Sequence, residues 1–312
     1  MDKIAVCIPC YNEEKTIRKV VTDFKRVLPN ATIYVYNNNS TDKTVQEAVK
    51  AGAVVRHEYQ QGKGNVVRRM FREIDADCYL LVDGDGSHPS ESAPQMVDLI
   101  LTSGIDMVMG DRLSTTYATE NKRPFHTFGN KLVLNVINLL FRAHIKDVMT
   151  GYRAFSYAFV KTFPILSKGF EIETEMTIHA LDKNIAFKQI PIQHKDRPRG
   201  NPSKLNTYTD GIKVLLMIFK LVWLYKPFLF WGGISLGLTL LSFVFLIPVL
   251  VAYFETGLVQ RFPTLIVCGF TFIAALQAFF TGMILENIVH KNRQDFELEL
   301  IKTEQRRREK NS

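Results

Sequence analysis

The chain has 312 residues, 46% of them hydrophobic and 22% charged, and its 39 Lys and Arg against 31 Asp and Glu leave a net charge of +8. These proportions exclude a disordered or collagen-like chain, and the length suffices for one large domain with an addition. Four cysteines are too few for a secreted disulfide scaffold, while the basic balance admits nucleic acid, an anionic membrane or a phosphorylated substrate as partner.

The first residues, Met1-Asp2-Lys3-Ile4, lack the apolar core of a signal peptide, so the opening domain is expected in the cytoplasm. Short apolar runs predict strands at 3–8, 32–36, 53–56, 78–82, 106–110 and 185–190. Amphipathic segments at 13–28, 42–51, 64–75 and 91–102 predict helices between them. That alternation implies a largely parallel sheet covered on both faces, whose ligands bind beyond the carboxyl ends of the strands. Cys7 and Cys10 form a C-x-x-C pair, but Cys78 and Cys268 lie too far along the chain to complete a zinc site. A redox pair opens a helix, whereas this one falls in an apolar run, so both read as core cysteines.

Three predicted strands end in polar loops. The first runs Pro9-Cys10-Tyr11-Asn12-Glu13, the second Asn37-Asn38-Asn39-Ser40-Thr41-Asp42, and the third Asp83-Gly84-Asp85-Gly86. Two carboxylates two residues apart at the end of a buried strand suit a hard divalent cation held by oxygen ligands. Glu13 and Asn38 are either ligand contacts or turn formers, and Lys63, between Gly62 and Gly64, is either a ligand contact or a surface lysine.

The last third differs in character. Residues 228–254 and 264–289 are almost wholly apolar and long enough to span a bilayer. Their short connection carries only Glu255 and Arg261, whereas cations flank the pair at Lys213, Lys220, Lys226, Lys291, Arg293 and Arg306 to Arg308. An excess of cations on one side places the N-terminal domain and both termini in the cytoplasm of a multi-pass membrane protein. Ahead of the pair, Ile212, Leu215, Leu216, Phe219, Val222 and Trp223 recur at helical spacing, as in a helix lying in the membrane interface or packed on the soluble domain. The expected domains are 1–204 (the α/β domain), 205–227 (interfacial helix), 228–290 (hairpin) and 291–312 (charged cytoplasmic tail).

The order of these motifs resembles glycosyltransferase family 2. The segments that carry the likeness are Pro9 to Glu13, 37–42, Gly62-Lys63-Gly64, Asp83-Gly84-Asp85, Thr150-Gly151-Tyr152-Arg153 and Arg197 to Lys204, together covering about residues 3–210. Within the family the chain is similar to polyprenyl-phosphate glycosyltransferases, which include dolichyl-phosphate mannose synthases and bacterial undecaprenyl-phosphate N-acetylglucosamine and glucose transferases. Arg197-Pro-Arg-Gly200-Asn-Pro-Ser203-Lys204-Leu205 matches their segment after the catalytic domain. One departure is Asn37-Asn38, where the family usually carries two aspartates, one of them on the nucleotide base; an amide oxygen can still accept a hydrogen bond.

The resemblance implies an α/β fold: a GT-A, Rossmann-like nucleotide-diphospho-sugar transferase domain, then an interfacial amphipathic helix and a two-helix transmembrane hairpin. It implies Mg²⁺ or Mn²⁺ on Asp83 and Asp85, and nucleotide-sugar contacts from Pro9, Tyr11, Glu13, Asn38, Lys63, Asp83, Gly84 and Asp85. Asp147 is the candidate base, with Asp85 and Arg197 also catalytic. Arg112, Arg123, Arg153, Arg197, Ser203 and Lys204 are expected on the acceptor phosphate, and Glu171, Glu173 and Glu175 on the sugar or acceptor side. The implied partners are a UDP-sugar, polyprenyl phosphate and the bilayer, not nucleic acid, with room for a homo-oligomer or a small membrane partner. Three rivals stand against this reading. A processive polysaccharide synthase usually carries Q-x-x-R-W, and neither Trp223 nor Trp231 follows an arginine. A transferase to another lipid would need a stronger base for its hydroxyl, and a non-catalytic scaffold is opposed by intact Asp83, Asp85 and Arg197.

Overall fold

The computed structural model describes residues 3–112, 124–169, 171–193 and 219–311. They divide into two units, Met1–Asn206 with Phe296–Ser312, and Thr207–Asp295. The first unit is built on a seven-stranded sheet of order β3-β2-β1-β4-β6-β5-β7. Its strands are β1 (Ile4–Cys10), β2 (Thr32–Asn37), β3 (Val54–His57), β4 (Cys78–Leu81), β5 (Met107–Asp111), β6 (Arg153–Ser156) and β7 (Phe187–Pro191). Helices α1 (Ile17–Val27), α2 (Thr44–Lys50), α3 (Lys63–Glu73), α4 (Ala93–Thr102), α5 (Pro124–Phe141), α6 (Tyr157–Thr162) and α7 (Ile172–Asp182) lie between them.

The six expected strands form, and a seventh joins them. β6 inserts between β4 and β5, antiparallel to both, with Leu81 opposite Arg153 and Met109 opposite the same residue. Four residues with a buried arginine carry too weak a periodic signal to read as a strand. Val6, Ile8, Val35, Leu80 and Val82 are fully buried and pack against Ile17, Val21 and Phe24 of α1, so the apolar runs form the core. Because β1, β2 and β4 are parallel, their polar ends emerge on one edge of the sheet. That edge carries the site.

The expected tail, 291–312, is the end of a long helix α9 (Phe262–Asn311). From Phe296 onward it belongs to the first unit. The Phe296 ring meets His179 edge-on at 5.2 Å, with the Lys183 ammonium 5.8 Å over its face. Thr303 is buried, and Arg307 bonds Asp77 while lying 5.4 Å over the Tyr157 ring.

In the second unit, residues 219–225 are helical, and most of the expected interfacial helix lies outside the described residues. Helix α8 (Pro227–Thr256) and the apolar part of α9 are each long and apolar enough to cross a membrane. At 1.5 Å per residue, α8 exceeds the roughly 30 Å hydrocarbon thickness. Small residues at seven-residue spacing let the two helices approach: Ser235 donates to the Ala275 carbonyl at 2.8 Å and Ser242 to the Cys268 carbonyl at 2.9 Å. Val244, Phe254 and Phe270 point away from the pair, exposed.

Candidate active site

Two strand-end loops interlock to form one side of the site. Amides of Asn12, Glu13 and Glu14 donate to Ser40 Oγ (3.0 Å), Thr44 Oγ1 (2.8 Å) and Asp42 Oδ2 (3.1 Å). In return, the Thr41 amide donates to Asn12 Oδ1 at 2.8 Å and the Lys43 amide to Glu14 Oε2 at 3.0 Å. Asn12 adopts a left-handed φ of 57° that turns the chain out of β1. Pro9 sits in β1 opposite Tyr36, and Tyr11 beyond it is exposed. Thr16 ties this side to the third loop, its hydroxyl donating to the Gly84 carbonyl at 2.7 Å and lying 3.2 Å from Glu13 Oε2.

Asn38, which the family likeness implied on the nucleotide base, has its side chain engaged within the protein. Its buried amide nitrogen donates to the carbonyls of Glu58 (2.8 Å) and Gln60 (2.9 Å), and its oxygen accepts the Gly62 N–H at 2.8 Å. The side chain therefore shapes the loop that presents Lys63. An aspartate could accept from Gly62 but would face two carbonyls with no donor, which accounts for the amide here. Asn38→Asp is expected to cost about 1–3 kcal/mol in denaturant unfolding, the penalty of buried polar groups left unmade; an unchanged midpoint would remove this role.

The Asp83–Asp85 loop leaves β4 at the carboxyl edge, with Gly84 buried against the Cys10 thiol. Burial first, then the nearby Glu13 and Asp83 carboxylates, push the Cys10 thiol well up, so it stays protonated. Asp85 is buried, its Oδ1 accepting from the Ser87 amide at 3.0 Å and the Ser87 hydroxyl at 2.6 Å. Asp83 bonds the Lys63 ammonium through Oδ1, and Lys63 reaches Glu173 Oε1 at 2.7 Å. His88 Nε2 lies 3.4 Å from Asp83 Oδ2. Burial opposes the charge on both Lys63 and Asp83. It is outweighed: Asp83 and Glu173 raise Lys63, while Lys63 and His88 hold Asp83 well below the usual carboxylate range.

The glycines around this network are required by contact. A Cβ on Gly64 would stand 2.2 Å from the Ser167 carbonyl oxygen, and one on Gly151 would stand 2.5 Å from Asp83 Oδ2 and 2.9 Å from Lys63 Nζ. The Gly-Lys-Gly segment can thus lie against the 167–168 backbone, and the start of β6 can close over the Lys63–Asp83 pair.

Other expected site residues are placed differently. Arg153, expected on an acceptor phosphate, is fully buried in β6 and donates to the carbonyls of Thr150 (2.9 Å) and Val148 (2.7 Å). Burial lowers its guanidinium to about 10, and its donors hold the 148–150 turn rather than a ligand. Asp147 is buried and gripped in a fork by Arg112, at 2.7 and 3.1 Å, so the candidate base is already a hydrogen-bond acceptor for a cation. Glu175 accepts the amides of Leu166 and Ser167 at 3.0 and 2.9 Å, bracing their loop, whereas Glu171 is exposed at the residue before α7 and makes no side-chain capping bond. Of the three glutamates, only Glu173 joins the network, with Oε2 buried and without a hydrogen-bond partner. Arg123, Arg197, Ser203 and Lys204 lie outside the described residues. His88 does not stand out in the sequence; the Ser87-His88-Pro89 run directly after the D-x-D loop was the available signal.

The donor set suits a magnesium- or manganese-sized cation. Two carboxylates of one loop are present, and the neighbouring thiol is protonated. Such cations take one or two carboxylates and complete their shell with substrate phosphates and water; among the described residues no group of three His, Cys, Asp or Glu gathers.

A mixed sheet with a D-x-D loop at its carboxyl edge defines a nucleotide-sugar transferase fold, and comparison with known proteins makes the assignment specific. The chain belongs to glycosyl transferase family 2, whose model matches residues 5–163. It is 30% identical over 239 residues to glycosyltransferase AglJ of Haloferax volcanii, covering 76% of this chain and 78% of the relative. It is 27% identical over 219 residues to the dolichyl-phosphate hexose transferase of the same organism, covering 70% of this chain and 93% of that one. Among solved structures, glucosyl-3-phosphoglycerate synthase of Mycobacterium tuberculosis, in complex with Mn²⁺, UDP-glucose and phosphoglyceric acid, superposes with a TM-score of 0.57 at 20% identity, over 70% of this chain and 79% of that one. The fold is GT-A.

Proposed function

We propose that this glycosyltransferase moves a hexose from a UDP-sugar to the phosphate of a polyprenyl phosphate, undecaprenyl phosphate in particular, at the cytoplasmic face of the cell membrane. The observation that carries the reading is one chain holding both a cation-lined D-x-D loop and two membrane-length helices. The dolichyl-phosphate relative supports a lipid phosphate as acceptor, and the UDP-glucose complex of the structural neighbour supports a uridine donor.

Asp85, with Asp83 beside it, would hold Mg²⁺ or Mn²⁺, which neutralises charge on the departing diphosphate. Glu13 and the interlocked loops bind the nucleoside end of the donor. The acceptor phosphate is largely a dianion at neutral pH, so orientation matters more than proton removal. Arg112 (fixed by Asp147), Arg197 and Lys204 supply the cations that hold it in line, and Ser203 a hydroxyl donor. In-line attack inverts the anomeric carbon, giving a β-linked lipid phosphosugar from an α-linked donor, a carrier for cell-envelope glycan modification. UDP-N-acetylglucosamine is the first donor to test and UDP-glucose the second.

The full-length protein in detergent or nanodiscs is expected to release UDP from one of these donors only when undecaprenyl phosphate is added. Release without lipid would point to hydrolysis or another acceptor. Transfer from GDP-mannose alone would overturn the donor while keeping the reaction class.

A further inference from the structure

We propose that His88 is a positioning residue for donor binding, its Nε2–H fixing Asp83 from the protein side so that the carboxylate meets the donor in one orientation. This rests on the reading of the Asp83–Asp85 loop as the donor site. The exposures decide the direction: the Asp83 side chain is 27% exposed, whereas those of Lys63 and His88 are 7% and 1% exposed. Both groups therefore approach Asp83 from the buried side, and its accessible edge faces solvent. Each carboxylate oxygen carries two acceptor sites. Lys63 occupies one on Oδ1 and His88 one on Oδ2, which pins the plane of the group and leaves its outer edge open toward the donor.

The imidazole is itself held. It stacks on the Tyr152 ring, centroids 5.2 Å apart and planes 24° from parallel. The Tyr152 hydroxyl donates at 3.1 Å to the carbonyl of Pro89, the residue after His88. A ring nitrogen facing a carboxylate oxygen is assigned as the protonated one, which makes Nε2 the donor. Each part of the Thr150-Gly151-Tyr152-Arg153 segment thereby gains a function. Arg153 holds the turn, Gly151 admits Asp83 and Lys63, and Tyr152 seats His88.

Two substitutions separate the ring from the proton. His88→Phe keeps the stack on Tyr152 and removes the Nε2–H; His88→Gln restores an N–H at similar reach and gives up the ring. Titration calorimetry of UDP with Mn²⁺ on the full chain is expected to show affinity falling about 10- to 100-fold in His88→Phe, as when a residue that orients a liganding group is removed. His88→Gln should recover most of it, and the melting temperature of His88→Phe should stay near wild type. Wild-type UDP affinity in His88→Phe would overturn the proposal, as would equal losses in both variants that track their melting temperatures. Asp85→Asn serves as the control. If it loses UDP–Mn²⁺ affinity while His88→Phe does not, only the His88 inference fails. If neither it nor His88→Phe changes binding, or wild type does not bind UDP, the donor-site reading fails as well.

Discussion

Asp85→Asn is expected to lower transfer by about 10³-fold or more, since several kcal/mol of charge stabilisation on the leaving diphosphate goes with one carboxylate. Asparagine is the informative replacement because Asp85 is not a solvent-side group. Its Oδ1 accepts two hydrogen bonds from Ser87 within a buried turn, and an amide oxygen preserves both. Asp85→Ala would break them and cost roughly 1–2 kcal/mol of stability besides the activity, confusing two effects. The measurement is radiolabelled sugar transfer to undecaprenyl phosphate by the folded variant, alongside wild type in excess chelator. Full activity in chelator would remove the divalent cation from the mechanism, and an active Asp85→Asn would remove this carboxylate from it.

Phe296→Ala is expected to destabilise the catalytic unit by about 3 kcal/mol, the usual cost of emptying a buried aromatic site. Phe296 is nine-tenths buried and closes an aromatic cluster in which His179 also meets Phe159 and Phe163. Burial, then the Lys183 charge, lowers His179 to about 4, so at neutral pH the ring is uncharged and packs as an apolar group. A protein cut before residue 296 loses Phe296, the buried Thr303 and the Arg307–Asp77 pair together, and is expected to aggregate rather than yield a soluble donor-binding domain. Denaturant unfolding of Phe296→Ala followed by near-ultraviolet circular dichroism checks this. A midpoint within experimental error of wild type would mean that the C-terminal helix merely rests on the domain.

Six strands, the first four helices and both membrane-length helices were legible because each is written in neighbouring residues: a run of apolar side chains, a 3.6-residue stripe, or about 20 apolar positions in succession. The D-x-D loop was legible for the same reason, as polar residues directly after an apolar strand. Partnership between distant residues was not. Lys63 and Glu173 are 110 positions apart, and nothing local distinguishes Glu173, which meets Lys63, from Glu175, which braces a loop. The partners of Asn38, the carbonyls of Glu58 and Gln60, are likewise 20 and 22 positions away. Arg153, expected on the acceptor phosphate from the family likeness of its motif, is carried by β6 into the sheet beside carbonyls that satisfy it. The sequence by itself determined which segments are strands, helices and apolar spans and where polar loops leave the sheet. Only the tertiary structure decided which polar side chains meet, because a hydrogen bond depends on a few ångströms of separation that chain distance does not encode.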